Sequence, residues 1–311
     1  MSTSITSNSS FDFDATAEAV AAALSSHIDG RTILTTGVTP AGLGAGFASV
    51  VAAHNPRLLV LAGRNPSKLT ECVKDIEIAH PGVKTRTLEL DLASQASVRK
   101  AAEEVLSWPE PVDILVNNAA IMACPYQKTA DGLEMQFGTN HLGPRVVNVS
   151  SAAHRFSDIR WDDIGFKDGQ VYDKWRAYGQ AKTANILFSV ALAEKLGSKG
   201  LKVFVLHPGP VQTNLDRYIS PHDYADLLAL DKELGNKEVD LPKFRYKNVS
   251  QGTATYVVAA FDPALNQHNG IYLQDCQLAP EEETKPYAVD KGAAERLRKL
   301  SEELVGQKFV Y

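Results

Sequence analysis

The sequence predicts a single α/β domain built on a doubly wound, mostly parallel sheet, and three observations predict it. Short β-branched or apolar runs alternate with stretches of helical period along most of the 311 residues. The runs are mostly apolar without polar alternation, the pattern of strands covered on both faces. No Pro/Gly/Ser-rich linker with a shift in composition, and no internal repeat, divides the series.

In order, Asp14 to His27 carries Ala, Val and Leu at helical spacing and stops at Asp29-Gly30. Thr32 to Thr36 reads as the first strand, followed by a glycine-rich turn and a small-residue helix through Leu43, Ala45, Ala48 and Val51 to about Ala53. The β-α unit then recurs: strand Leu58 to Ala62 with helix Ser67 to Ile78, strand Lys84 to Leu90 with helix Ser94 to Leu106, and strand Ile114 to Asn117 with helix Gly132 to Leu142. Strand Arg145 to Val149, helix Trp175 to Leu196, strand Lys202 to His207, helix Gln251 to Ala260 and strand Gly270 to Leu273 complete the series. Two stretches, Ser157 to Lys174 and Asn214 to Asn248, lack clear period. Irregular insertions on such a sheet usually cover the carboxyl ends of the strands, where ligands bind, so both are expected at the substrate mouth. Val289 to Leu304 reads as an exposed helix with a charged face.

Composition excludes several classes of function. No unbroken apolar run reaches the roughly 18 residues of a membrane span, and the mean hydropathy of −0.17 agrees. A net charge of −5 gives no general reason to bind a polyphosphate backbone, so nucleic acid is not an expected partner. Cys72, Cys124 and Cys276 are odd in number and widely spaced, which predicts buried thiols rather than a disulfide framework or a zinc site. His154, His207 and His222 have no ligand spacing, so no metal is expected. Met1 to Ser10 is rich in Ser and Thr and lacks the order of a signal or transit peptide. It is expected to be a flexible tail on a cytoplasmic domain spanning residues 11–311.

Between the first strand and helix lies Thr36-Gly37-Val38-Thr39-Pro40-Ala41-Gly42-Leu43-Gly44. Its glycines allow a sharp turn, a close approach to a pyrophosphate and a helix N-terminus aimed at it. The turn alone also fits a methyltransferase-type site or a purely structural role. Arg64, 20 residues after Gly44, stands where an acidic residue would bind a ribose diol, and Gly63 leaves that acidic position empty. A guanidinium there suits a 2′-phosphate; the plain alternative is a solvated loop arginine. Asp91, at the third strand's end, is placed near the adenine or belongs to the start of the helix at Ser94, and both can hold. Without G-x-x-x-x-G-K-[ST], H-E-x-x-H or G-x-S-x-G, the candidate chemistry is redox.

Tyr178 and Lys182 stand four apart on one helix face. An ammonium beside a phenol favours the phenolate. Dropping a tyrosine from about 10 toward 7 takes about 4 kcal/mol, which Lys182 and a cationic nicotinamide together are expected to supply. Ser151 closes the preceding strand at the carboxyl edge of the sheet, where its hydroxyl can hold a carbonyl or alkoxide oxygen, while the period-two rule turns Ser150 away.

The ordered set formed by Thr36 to Gly44, Asn117-Asn118-Ala119-Ala120, Asn140-His141-Leu142-Gly143, Ser150-Ser151, Tyr178-x-x-x-Lys182, Pro208-Gly209 and Thr213 resembles the short-chain dehydrogenases/reductases from Thr32 to about Leu215. N-H-L-G, V-S-S-x-x-H and A-N-I-L-F resemble the retinol-dehydrogenase-like branch, fungal members included. The resemblance implies a Rossmann-like fold and an NADP(H)-dependent oxidoreductase acting on a hydrophobic alcohol, aldehyde or ketone. It makes Tyr178 the proton donor and acceptor, gives Lys182 the nicotinamide ribose and the lowering of the tyrosine pKa, and has Ser151 position the substrate oxygen. Asn140 would support a relay water near Lys182. The implied cofactor set is Gly37, Gly42, Leu43, Gly44, Arg64, Asp91, Leu92, Asn118 through its backbone, Tyr178, Lys182, and Val211 and Thr213 at the carboxamide.

Two departures modify the expectation. Four residues separate Gly37 from Gly42, and Pro40-Ala41 stiffens the turn. More seriously, Gly143 runs directly into Pro144 and the next strand, where the family carries a long helix. Five residues from Asn140 reach at most about 17 Å, whereas the strand from Arg145 to Ser151 is about 20 Å long. Asn140 is therefore expected to be displaced from Lys182, and pairing of two chains through the curtailed helix is in question. A non-catalytic NADP(H)-binding or interaction protein on the same fold is the alternative reading.

Overall fold

The computed structural model describes residues 5–136, 147–236 and 244–309. Seven strands lie parallel: Thr32–Thr36 (β1), Leu58–Gly63 (β2), Thr85–Glu89 (β3), Ile114–Asn117 (β4), Val147–Val149 (β5), Phe204–His207 (β6) and Tyr272–Gln274 (β7). A two-residue strand, Gln277–Leu278 (β8), returns antiparallel beside β7. The order β3-β2-β1-β4-β5-β6-β7-β8 reverses direction between β1 and β4, which opens a crevice at their carboxyl ends. The single-domain, doubly wound architecture predicted from the periodicity is therefore the one observed.

The strands are apolar on both faces because both are covered. On one face Ile33, Leu59, Leu61, Val116 and Leu206 pack under Ala17–Ala23 (α1), Leu43–Ala52 (α3), Pro66–Ala79 (α4) and Val249–Phe261 (α8). On the other, Leu34, Val60 and Leu88 meet Gln95–Leu106 (α5), and Val205 and Tyr272 meet Ile186 of the 23-residue helix Lys174–Leu196 (α6). Lys291–Val305 (α10) is not an unpartnered surface helix: Ala294 and Leu297 are buried against Ala184, Leu187 and Ala191 of α6. Each such buried aliphatic side chain contributes about 1.5–3 kcal/mol. The short helices Ser25–Ile28 (α2) and Pro286–Val289 (α9) complete the set with α7, described next.

Three expectations change. Asn214 to Asn248 is not irregular throughout: a 3-10 turn at Asn214–Tyr218 leads into a helix, Pro221–Glu233 (α7), started by a capping box between Ser220 and Asp223 with Pro221 at its first turn. The helix expected from Gly132 does not begin there, since Lys128 and Glu134 form an antiparallel bridge; most of its predicted length, like the start of the strand at Arg145, lies outside the described residues. Finally, the segment expected as a flexible tail lies, from Ile5 on, against the body. Thr6 is buried, the Ser7 N–H donates to Asp262 (2.8 Å), and the Gln277 amide donates to the carbonyls of Asn8 (3.0 Å) and Phe11 (2.8 Å).

Candidate active site

A cleft of about 1050 Å³ runs across the carboxyl ends of the strands from Arg64 and Lys68, past the glycine turn, to Ser151, Tyr178 and Lys182. The turn is made of backbone. Gly37 has φ +68°, and a Cβ there would fall 2.5 Å from the Ala119 Cα, so only glycine lets β1 and β4 close up beneath the cleft. Ala41, the stiff position, sits at φ +59° in the left-handed region, a strained setting for a residue with a side chain. Asn118 ties the turn down by donating to Thr36 O (2.8 Å) and accepting from the Tyr256 hydroxyl (3.0 Å). Its side chain is thus consumed by structure, and its backbone N–H is donated to Val116 O (3.0 Å).

Among the described helices of ten or more residues, α3 alone starts without a side-chain cap; Asn65, Ser94, Asp173, Ser220, Asn248 and Asp290 cap the others. Gly42 leaves the first-turn N–H groups of α3 for a ligand, and an anion satisfies them best. At the far end Arg64 is exposed on the rim with Lys68 one helical turn on. Backbone donors, a helix N-terminus and two cations along one cleft fit a dinucleotide.

At the other end the reacting side chains come together. Ser151 starts a 3-10 turn, Ala152–Phe156, its Oγ accepting from the Ala153 N–H (3.1 Å). Tyr178 and Lys182 lie on the buried face of α6, where the Lys182 ammonium stands 5.5 Å from the Tyr178 ring centre and donates to Val149 O (2.9 Å). Ser150 points away, its hydroxyl on Lys182 O (2.8 Å). Burial pushes the Tyr178 phenol above its ordinary range, against a hydrogen bond with Ser151 that lowers it. Burial also brings Lys182 down to about 7. Withdrawal from water dominates both groups, since each loses hydration in the same pocket; the expected lowering of the tyrosine by Lys182 together with a cationic nicotinamide concerns the cofactor-bound site.

Of the expected cofactor residues, Gly37, Gly42, Leu43, Arg64, Leu92, Asn118, Val211 and Thr213 line the cleft. Gly44 lies just behind it, against the Asn118 side chain, and Asp91 turns its carboxylate onto the Ala93 N–H (3.0 Å), a loop-stabilising role. Asn140, with its expected displacement, lies outside the described residues. All three cysteines are free and buried, and no cluster of three metal-ligating side chains occurs among the described residues. No described helix is long and apolar enough to cross a membrane.

The segment 214–248 lines the cleft as expected, but the helix within it was not foreseen. Tyr224, Leu227 and Leu228 of α7 face the cleft together with Phe156, Trp175, Ile219, Phe244 and Tyr246, an apolar wall that also carries Arg155, Asp216 and Arg217. The capping signal Ser220-Pro221-x-Asp223 was the available clue to this helix. His154, whose spacing gave it no metal role, is buried beside the serine. Its Nδ1 is 2.9 Å from Ser151 O and its Nε2 accepts from the Lys285 N–H (3.3 Å), partners that fix a neutral imidazole. Burial lowers His154 to about 4 and His207, on the cleft wall, to about 3.

Comparison with known proteins agrees with this geometry. The model of the short chain dehydrogenase family matches residues 31–156. Retinol dehydrogenase 14 of Homo sapiens is 35% identical over 307 residues, covering 89% of this chain and 87% of that protein. The short-chain dehydrogenase/reductase prx1 of Penicillium rubens is 39% identical over 255 residues, covering 72% and 71%. Among solved structures, an uncharacterized protein from Mycobacterium paratuberculosis superposes with a TM-score of 0.70 at 28% identity, over 91% of this chain and 96% of that one.

Proposed function

Because the chain belongs to the short-chain dehydrogenase/reductase family, in its retinol-dehydrogenase-like branch, and is an oxidoreductase of that kind, we propose that it interconverts a hydrophobic alcohol and its carbonyl with NADP(H). The observation that carries this reading is the meeting of Ser151, Tyr178 and Lys182 at the apolar end of a cleft whose other end is an uncapped helix flanked by Arg64 and Lys68.

A nicotinamide cofactor held in the cleft would supply or take up the hydride. The residues of the chain do the rest. In the reducing direction the Ser151 hydroxyl holds the carbonyl oxygen, and Tyr178 gives that oxygen its phenolic proton as the carbonyl carbon becomes an alcohol carbon. The phenolate left behind is compensated by Lys182, whose ammonium lies within reach of the ring. In the oxidising direction the phenolate takes the hydroxyl proton back. Gly37 and Leu43 would offer backbone donors to the pyrophosphate beside Gly42, whose lack of a side chain keeps the turn open, Arg64 with Lys68 would hold the 2′-phosphate, and Val211 and Thr213 would meet the carboxamide. Residues 11–311 act as one such unit, with 214–248 as its substrate segment. The apolar wall of α7 excludes water and selects a hydrophobic substrate.

The test is oxidation of NADPH against a panel of ketones and aldehydes. Activity is expected with hydrophobic members, and Tyr178→Phe is expected to lower kcat by about 10²–10⁴ while the circular dichroism spectrum is unchanged. A Tyr178→Phe variant as active as the parent rejects the assignment.

A further inference from the structure

The wall helix α7 carries a buried carboxylate, Asp231, and its partner is Arg155 in the turn that Ser151 begins. The guanidinium grips it with two bonds, Nε to Oδ1 (2.8 Å) and Nη2 to Oδ2 (2.7 Å). Its Nη1 donates to the Ala152 carbonyl (3.3 Å), so the same side chain touches the backbone next to the serine. The Asn236 amide closes the unit, donating to Asp231 Oδ1 (2.9 Å) and to Arg155 O (3.4 Å). Around this pair, Leu230 is buried among Phe156, Trp175 and Tyr178, with Leu227 and Leu234 against them.

Those apolar contacts hold the helix down but are non-directional, and they tolerate sliding. A bidentate fork does not, because both parallel bonds exist in only one register. A pair this buried adds little net stability over apolar residues of the same volume, so what it contributes is geometry. We propose that Arg155 and Asp231 are positioning residues that set the register of α7 against Ser151 and Tyr178, and thereby determine how well a carbonyl substrate fits. The inference rests on the reading of Ser151 and Tyr178 as the reacting groups. Neither Arg155 nor Asp231 takes part in the proton transfer.

The test compares Asp231→Asn, Arg155→Lys and the apolar double variant Arg155→Met/Asp231→Leu. KM and kcat are measured for the best carbonyl of the panel, NADPH affinity by fluorescence, and limited proteolysis within 221–236 without substrate. KM is expected to rise roughly tenfold in Asp231→Asn and in the double variant, with kcat and NADPH affinity within roughly threefold of the parent. Arg155→Lys, which keeps the charge but not the fork, falls between. Cleavage of α7 accelerates in the same order. Arg176→Gln, which loosens the exposed pair Arg176–Glu233, leaves KM unchanged. A double variant that unfolds cooperatively and keeps the parental KM overturns the proposal, as does a fall in kcat at constant KM. If the parent reduces no carbonyl at all, the functional reading fails on its own. Proteolysis then still decides the clamp, and unchanged protection of α7 in the folded double variant overturns it.

Discussion

The two ends of the cleft are built from different materials. From Ile5 to Asn118 the described polar side chains that are buried are threonines, Thr6, Thr32, Thr35 and Thr36, and the cofactor end is shaped by backbone: Gly37, the left-handed Ala41, the uncapped start of α3. The substrate end buries His154, Lys182, Asp231 and Lys247, each tied by a hydrogen bond or ion pair to a distant part of the chain. A backbone cradle is insensitive to protonation. A core of buried ionisable groups is not, so the two ends answer differently to pH, charge and strain.

Acid should separate them most strongly. Buried His154 has its pKa lowered from 6.5 to about 4, so the folded state resists a proton that the unfolded chain accepts. The stability tied to this residue is fully present above pH 6.5 and is lost as pH falls toward 4, amounting to about 3 kcal/mol. His207 acts in the same direction over a window reaching about 3. Urea midpoints measured from pH 8 to pH 4 should fall between pH 8 and about 7, until Lys182 takes up its proton in the fold, and fall again below pH 6.5, and His154→Asn should flatten the second decline. A decline already complete above pH 7 would place the sensitivity elsewhere.

At the cofactor end, charge is expected to act only on the ligand. Arg64→Ala should weaken NADPH by about ten- to thirtyfold, the loss of a charge-assisted bond worth about 1.5–2 kcal/mol, while NADH affinity and thermal stability stay constant. Equal affinity of the parent for both cofactors would remove the 2′-phosphate from the account. The smallest effect is one of strain: Ala41→Gly relieves the left-handed alanine and should stabilise by at most about 1 kcal/mol, since the added chain freedom of glycine offsets part of the relief. A differential scanning calorimetry midpoint that falls would show that Ala41 is comfortable where it is.

The same division decides what could be read from the sequence. The succession of strands and helices, the glycine turn, Ser151, Tyr178 and Lys182 were legible because each depends on short-range rules: burial on two faces, a fixed offset on a helix, the end of a strand. Helix α7 was not, because its charges break the apolar period, and they do so to meet partners far away: Asp231 pairs with Arg155, Asp223 with Lys174. Periodicity alone cannot see such pairings, although the Ser220 capping box could have marked the helix start. The dehydration of Tyr178 and Lys182 was not legible for a related reason. Spacing reveals Lys182 one turn away, but how much water the pair loses depends on α7 and on the turn after Ser151 closing over them.

Beyond the cleft, the reversed two-residue strand β8 has its own consequence. An open parallel array presents a row of free amides and carbonyls to any extended peptide, a standing invitation to self-association. Here the rung is too short to template a neighbour, and the Gln277 side chain hooks onto the carbonyls of Asn8 and Phe11, so the early residues act as a guard strip along that border. Trimming them would bare the margin, and light scattering would register the resulting stickiness before any loss of turnover.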